Sequence, residues 1–295
     1  ILLIWTETIN GGGTRRRSAF FDCFGGESPD DHQAIVDWVR AGQPSVAFFA
    51  VTHPHLDHIK NAATVLAAAA CNADHVAWWG GLTLDSTVAI YDAIRVQLMF
   101  QDDEPSEAAL MTSRFLDELV LLRSGRSAER TAASDPVIHT PVCGIDPEKY
   151  VAATPYGRFE IRAFSPSPAP QKPYVQWLQD HVHVRKGETQ VKAPEKKGLA
   201  NCTSLGFVVN YGKAQIVLGG DVERENWAPF EQFCEHGLLG APLNPSLVKV
   251  SHHGSDTGVH VNMLTANQGF FGTGISPDKY CVVTPWEKAG RPLQD

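Results

Sequence analysis

Scarcities narrow the class of this protein before any motif is read. No stretch approaches the roughly 20 consecutive apolar residues that a membrane-spanning helix requires, which predicts that no helix crosses a bilayer. The opening run Ile1-Leu2-Leu3-Ile4-Trp5 is too short for a signal-peptide core and has no basic flank. Cysteine is sparse: Cys23, Cys71, Cys143, Cys202, Cys234 and Cys281 are scattered, with no C-x-x-C pair. Such spacing builds no disulfide framework, and it predicts reduced, buried thiols in a cytoplasmic protein. Positive charge is also short, with 25 Lys and Arg against 33 Asp and Glu, a formal −8. That balance excludes a protein that coats nucleic acid nonspecifically through a broad basic surface. A nuclease passes the same test, because metal ions and a local patch can meet phosphates. No internal repeat is visible.

What is present reads as an ordinary globular chain, with 43% hydrophobic and 20% charged residues in 295. Short apolar strands alternate with helical segments, the pattern of an α/β layered fold. Strands are expected at residues 1–6 and 18–24 around Asn10-Gly11-Gly12-Gly13, at 45–51, and as pairs at 150–153 with 158–164 and 205–211 with 215–218. Helices are expected at 31–40, 59–70, 82–98 and 107–122. Residues 123–146 read as an irregular connection. Residues 165–200, rich in Pro, Lys and Glu, read as a weakly structured lid or substrate loop. A single domain over 1–295 follows, with insertions near 80–145 and 165–200.

The chemistry concentrates in Thr52-His53-Pro54-His55-Leu56-Asp57-His58, between an apolar strand and a helix. Side chains alternate along an extended segment, so His53, His55 and Asp57 project to one side. The turn into the helix then swings His58 toward the same pocket. Neutral imidazole and carboxylate are ligands that zinc, manganese and iron accept. Gly219-Gly220-Asp221 ends a later strand, where Asp221 reads either as a metal ligand or as an N-cap for the segment from Glu223 onward. Lys249-Val250-Ser251-His252-His253-Gly254-Ser255 ends another. Adjacent residues there point in opposite directions unless the backbone turns sharply, for which Gly254 gives an opportunity just afterwards. Asp22 reads equally as a site residue or a buried hydrogen-bonding carboxylate, and His181 and His183 as loop histidines.

Taken together, His53-x-His55-x-Asp57-His58, Asn201-Cys202-Thr203-Ser204-Leu205, Gly219-Gly220-Asp221 and the His252-His253-Gly254-Ser255 run resemble the metallo-β-lactamase superfamily. The order and spacing are similar to the branch typified by the hydrolase domain of the ComEC DNA-uptake protein. The resemblance covers roughly residues 18–285 and is carried by these motifs. It implies a four-layer αββα metallo-β-lactamase sandwich with two divalent metal ions, Zn or Mn, at one edge. By resemblance His53 and His55 hold the first ion, Asp57 and His58 the second, and Asp221 bridges both. By the same resemblance His252 and His253 supply a further ligand, taken as His253, and a catalytic or substrate-contacting imidazole, although the spacing does not separate the two roles. The implied catalytic residues are Asp57, His252 and His253.

Two departures qualify the match. Asn201 stands where related nucleases have a histidine ligand. The Tyr-Gly-His-Pro-like segment of many relatives is replaced by Val282-Val283-Thr284-Pro285-Trp286 and then Gly290-Arg291-Pro292, without histidine. The implied activity is hydrolysis by a metal-bound hydroxide, which a pair of ions about 3.5 to 4 Å apart generates near neutral pH. A phosphodiesterase or nuclease is expected first, with nucleic acid or another phosphodiester as substrate. Lys249, the run Arg15, Arg16 and Arg17, and the cluster Arg185, Lys186, Lys192, Lys196 and Lys197 are offered as phosphate contacts or as solvated charge. The alternatives are a small-molecule ester, thioester or lactam hydrolase, and a conditionally active subunit of a bacterial defence complex beside an operon-encoded NTPase.

Overall fold

The fold is described from a computed structural model over residues 1–23, 29–41, 44–69, 73–80, 82–100, 107–124, 137–139, 149–154, 157–182, 199–227, 230, 245–258 and 280–283. The chain opens with the antiparallel hairpin β1 (Leu2–Thr8) and β2 (Thr14–Phe21), then α1 (Pro29–Arg40) and β3 (Ser45–Val51). It continues through α2 (Leu56–Ile59), α3 (Ala62–Ala69), β4 (His75–Trp78), α4 (Leu84–Phe100), α5 (Glu107–Arg123) and β5 (Val137–His139). These strands make one sheet in the order β1-β2-β3-β4-β5, parallel from β2 onward.

The second half of the chain builds the other sheet. β6 (Lys149–Thr154) and β7 (Gly157–Ser165) are followed by α6 (Pro168–Val182), then β8 (Gly206–Tyr211), β9 (Ala214–Leu218), β10 (Leu247–Lys249) and β11 (Tyr280–Val282). The second sheet runs β11-β10-β9-β8-β7-β6, antiparallel from β6 to β9 and parallel from β9 to β11.

The two sheets pack face to face through aromatic side chains. Phe207 meets Phe21 and Phe48 with ring centroids 5.1 and 5.9 Å apart, and Trp5 stacks on Phe159 at 4.1 Å. The helices bury Val36, Val65, Leu66, Tyr91, Phe115, Leu119, Tyr174 and Leu178 against Phe49, Val51, Val76 and Trp78 on the other side of the first sheet. β3 therefore reads as a continuous apolar run because both of its faces are covered. The described residues show a mixed α/β architecture of two sheets and helices, and no described helix is long and apolar enough to cross a membrane.

Several expectations change. The expected helix at 59–70 is α3, which starts later at Ala62, and the separate short helix α2 precedes it inside the histidine motif. β4 is only four residues long and carries no alternation that marks it in advance. β5 lies inside the expected irregular connection and extends the first sheet. The expected lid begins with a helix instead: Pro168 and Pro170 fall in the first turn of α6, where no intrahelical bond is lost, and Tyr174 and Leu178 are one turn apart and fully buried. His181 lies in α6, while His183 and the cluster from Arg185 to Lys197 lie outside the described residues. Cys23 is buried, whereas Cys202 is half-buried and Cys281 is exposed on the edge strand β11, so burial of all the thiols is not borne out. Cys71, Cys143 and Cys234 lie outside the described residues.

The run from Arg15 to Arg17 has a structural task. Arg15 bonds Glu7 at 2.7 Å, and buried Arg17 pairs with Asp74 and reaches Ser45 at 3.2 Å, while Tyr150 from the second sheet donates to Glu7 at 2.8 Å. Replacing Phe207 by alanine should remove the ring that joins both sheets, and a loss of about 3 to 5 kcal/mol in unfolding free energy is expected from denaturant titration. A loss below about 1 kcal/mol would show that the sheets do not depend on this contact.

Candidate metal centre

Carboxyl-terminal strand ends bring the motifs together. β3 delivers Thr52 to His58, β2 delivers Asp22, β9 delivers Gly219-Gly220-Asp221 and β10 delivers Ser251 to Ser255. Crevices outside the carboxyl ends of parallel strands are where α/β sheets bind ligands. The loops interlock through backbone bonds: Leu205 N donates to Thr52 O at 3.0 Å, and His252 N to Gly220 O at 3.1 Å. Gly220 is required here, because its φ is +53° and a Cβ would stand 2.6 Å from the Leu205 carbonyl oxygen.

Two groups of donors share Asp221. His53, His55 and Asp221 form one, and Asp57, His58, Asp221 and His253 the other; within each, the ligand atoms lie within 4.8 Å of one another. His53 Nε2 is 3.0 Å from His55 Nδ1 and 3.7 Å from Asp221 Oδ2. His58 Nε2 is 3.1 Å from Asp57 Oδ2 and 3.4 Å from Asp221 Oδ1, and His253 Nε2 is 3.0 Å from Asp57 Oδ2. His53, His58 and Asp221 are buried, whereas His55, Asp57 and His253 are partly open.

The donor set fits a cation. His58 Nε2 and Asp221 Oδ1 are buried without a hydrogen-bond partner, facing each other without the alignment of a bond. Such orphaned atoms cost about 1 to 3 kcal/mol each and are rare unless another group completes them. Mixed imidazole and carboxylate donors suit a borderline or hard divalent metal, so buried His and Asp groups at this spacing can hold one.

Supporting residues fix the ligand rings. Asp22, at φ +61°, accepts from Thr52 N at 2.7 Å and Thr52 Oγ1 at 3.0 Å, and its Oδ2 is 2.8 Å from His58 Nδ1. Its hydrogen-bonding role, from a half-buried position, thus serves the centre, because holding Nδ1 turns Nε2 of His58 toward Asp57 and Asp221. Lys249 does not fit its expected role as a phosphate contact. It is buried, and its Nζ donates to the carbonyls of Gly220 and Val250, bracing the Asp221 turn.

Protonation follows from this packing. Burial, reinforced by the charge of His58, drives the His53 imidazole well below its ordinary range and keeps it neutral; burial does the same less strongly for His55. Burial alone would also lower His58, but the Asp22 carboxylate, with Asp221 and Asp57, raises it well above 6.5. Burial of Asp57 and Asp221 favours the acid form, yet the neighbouring His253 and His58 imidazoles beside the first, and His58 with His53 beside the second, hold both well below the usual carboxylate range.

The two adjacent histidines part company, by a turn other than the expected one. Both have positive φ, +46° at His252 and +53° at His253, so the chain reverses within the pair and before Gly254. Each such residue costs roughly 1 to 3 kcal/mol and persists where surroundings over-determine it. His253 joins the Asp57 group. His252 instead meets Asn201 Nδ2 at 3.3 Å, Glu223 Oε1 at 3.3 Å and Thr257 Oγ1 at 3.2 Å. Asn201 is nearly fully buried and donates to Glu223 at 2.9 Å, while its Oδ1 has no partner. Asp221 is not the cap of the helical turn at 224–227 but points among the histidines. Glu223 was not singled out in the sequence; its spacing two residues beyond Asp221 was the available signal. No protein-family model and no curated protein sequence matches the chain.

A divalent ion that takes His58 Nε2 must displace the proton that the carboxylates hold there. Zn²⁺ or Mn²⁺ affinity should therefore rise about tenfold per pH unit through neutrality, with about one proton released. Calorimetry in buffers of different ionisation enthalpy reads this directly. Binding at pH 7 without proton release would remove His58 from the ligand set. The His pair gives a second test: His253→Ala should lower bound metal, whereas His252→Ala should leave it near the wild-type level, as measured by elemental analysis after dialysis. Equal losses in both would overturn the division.

Proposed function

We propose that the protein is a metal-dependent hydrolase of the metallo-β-lactamase fold, acting on a phosphodiester such as a nucleic acid. The observation that carries this reading is Asp221 standing between two donor groups, with His53 and His55 on one side and Asp57, His58 and His253 on the other. The pairing agrees with the ligand assignment implied by the resemblance of the motifs. Two sheets packed face to face, with helices outside the first, agree with an αββα sandwich.

His53, His55 and Asp221 would hold the first divalent ion, Zn or Mn, and Asp57, His58, Asp221 and His253 the second. Such a pair would supply Lewis acidity, lowering the pKa of water toward about 7 and neutralising phosphate charge. The chain's own residues do the remaining work. Asp22 and Thr52 orient His58, Ser204 Oγ accepts from the Asp221 N–H at 2.8 Å, and the interlocked glycine turns exclude water from the buried side. His252, half-buried and outside both donor groups, is the imidazole available to a substrate oxygen.

One observation favours a second reading. With Lys249 turned into the backbone, the motif loops lose the cation best placed for a phosphate, which suits a small-molecule ester, thioester or lactam substrate. Assays on single- and double-stranded DNA, RNA and bis(p-nitrophenyl) phosphate, run beside a thioester and a β-lactam, separate the two. Asp57→Ala should abolish turnover, beyond the roughly 100-fold upper end for losing a supporting partner of a metal ligand, while circular dichroism stays native. Full activity in that variant at unchanged metal content would defeat the mechanism.

A further inference from the structure

Glu223, like Asp22, belongs to neither donor group yet contacts a motif histidine, and its partner is His252, which lies outside both groups as well. It stands just beyond Asp221, and its Oε1 collects two partners: Asn201 Nδ2 at 2.9 Å, and His252 Nδ1 at 3.3 Å. Three loops meet at this oxygen. Asn201 lies in the 3-10 turn Ala200–Thr203 before β8, Glu223 follows β9, and His252 follows β10.

The logic of donors and acceptors orders the cluster. An ionised carboxylate only accepts, so Asn201 must present its NH2 to Glu223, which leaves the amide oxygen buried and unpartnered. The same NH2 faces His252 Nε2 at 3.3 Å. His252 is thus gripped along one edge of its ring, with Glu223 and Thr257 at Nδ1 and Asn201 at Nε2.

The backbone makes such a grip necessary. His252 and His253 both occupy the left-handed region, which residues with a Cβ rarely visit. Backbone bonds hold the ends of the turn, from His252 N to Gly220 O and from Gly254 N to Ser251 O, but neither sets the direction of the His252 ring. Only the side-chain contacts do that. A carboxylate on one ring nitrogen is a general device for fixing an imidazole's tautomer and orientation.

We propose, building on the hydrolase reading above, that Glu223 is a positioning residue that orients His252 toward substrate, with Asn201 as the amide linking them. Glu223 acts through His252 and not through the ions. Its loss lowers turnover without lowering bound metal, and it has no further effect once His252 is absent.

The test uses the full chain with Glu223→Ala, Glu223→Gln, His252→Ala and the Glu223→Ala/His252→Ala double variant. In metal-free protein, ¹⁵N-imidazole NMR should show a protected Nδ1–H, assigned by its absence from His252→Ala. That signal should be kept in Glu223→Gln, whose amide oxygen still accepts, and lost in Glu223→Ala. On bis(p-nitrophenyl) phosphate with Mn²⁺, Glu223→Ala should lower kcat about 10- to 100-fold at near-constant KM and metal content. Glu223→Gln should recover most of it, and the double variant should match His252→Ala. A Glu223→Ala protein with the His252 signal intact, or a double variant slower than His252→Ala by the full single-variant factor, would overturn the proposal. Wild-type protein that binds no ion and cleaves no phosphodiester would instead defeat the hydrolase reading, while the NMR comparison still decides the role of Glu223.

Discussion

Everything at the centre depends on keeping the Asp221 carboxylate ionised where almost no water reaches it. A buried charge is tolerated only when it is paired and hydrogen-bonded, and Asp221 is only 2% exposed. Its surroundings answer that demand with His53, His58 and His253 within 3.7 Å. The same demand explains the glycines before it. Gly219 and Gly220 let the strand end pass so close to Ser251 and Leu205 that no side chain would fit.

The legible part of the site was the part written in consecutive residues. Spacing within 53–58 placed four donors in one pocket because a strand end and a helix start have known side-chain directions. Asp221 and His253 were legible only as motifs that needed the first one for company, since their distances to it are tertiary. Glu223, and the link of Asn201 to it, were hidden for the same reason: a carboxylate and an amide in separate loops do not announce their pairing until the fold joins them at 2.9 Å. Lys249 was misleading because sequence shows charge and not direction.

In the fold, β3 and the β8–β9 hairpin were legible from their apolar runs and turn residues. Strands of three or four residues such as β4 and β5 owe their existence to neighbours already in the sheet, and little local pattern is needed to add them. Prolines disguised α6: Pro168 and Pro170 sit in its first turn, where they do no harm, whereas Pro173 lies inside the helix. The left-handed pair at 252–253 could not have been read from residue types, because nothing about two histidines announces positive φ.

The donors of the centre come from both halves of the sandwich. His53 to His58 belong to the first sheet's loops, Asp221 and His253 to the second's, and the contact of Asp57 with His253 spans 196 residues. An occupant shared between the halves would therefore act as a clasp across the sheet interface, and at a hundredfold excess over its dissociation constant it would add about 2.7 kcal/mol to the folded state. Timing follows from the same separation. During synthesis the histidine-rich loop emerges first and its counterparts follow about 160 to 200 residues later, so for that interval its donors await the second half of the site.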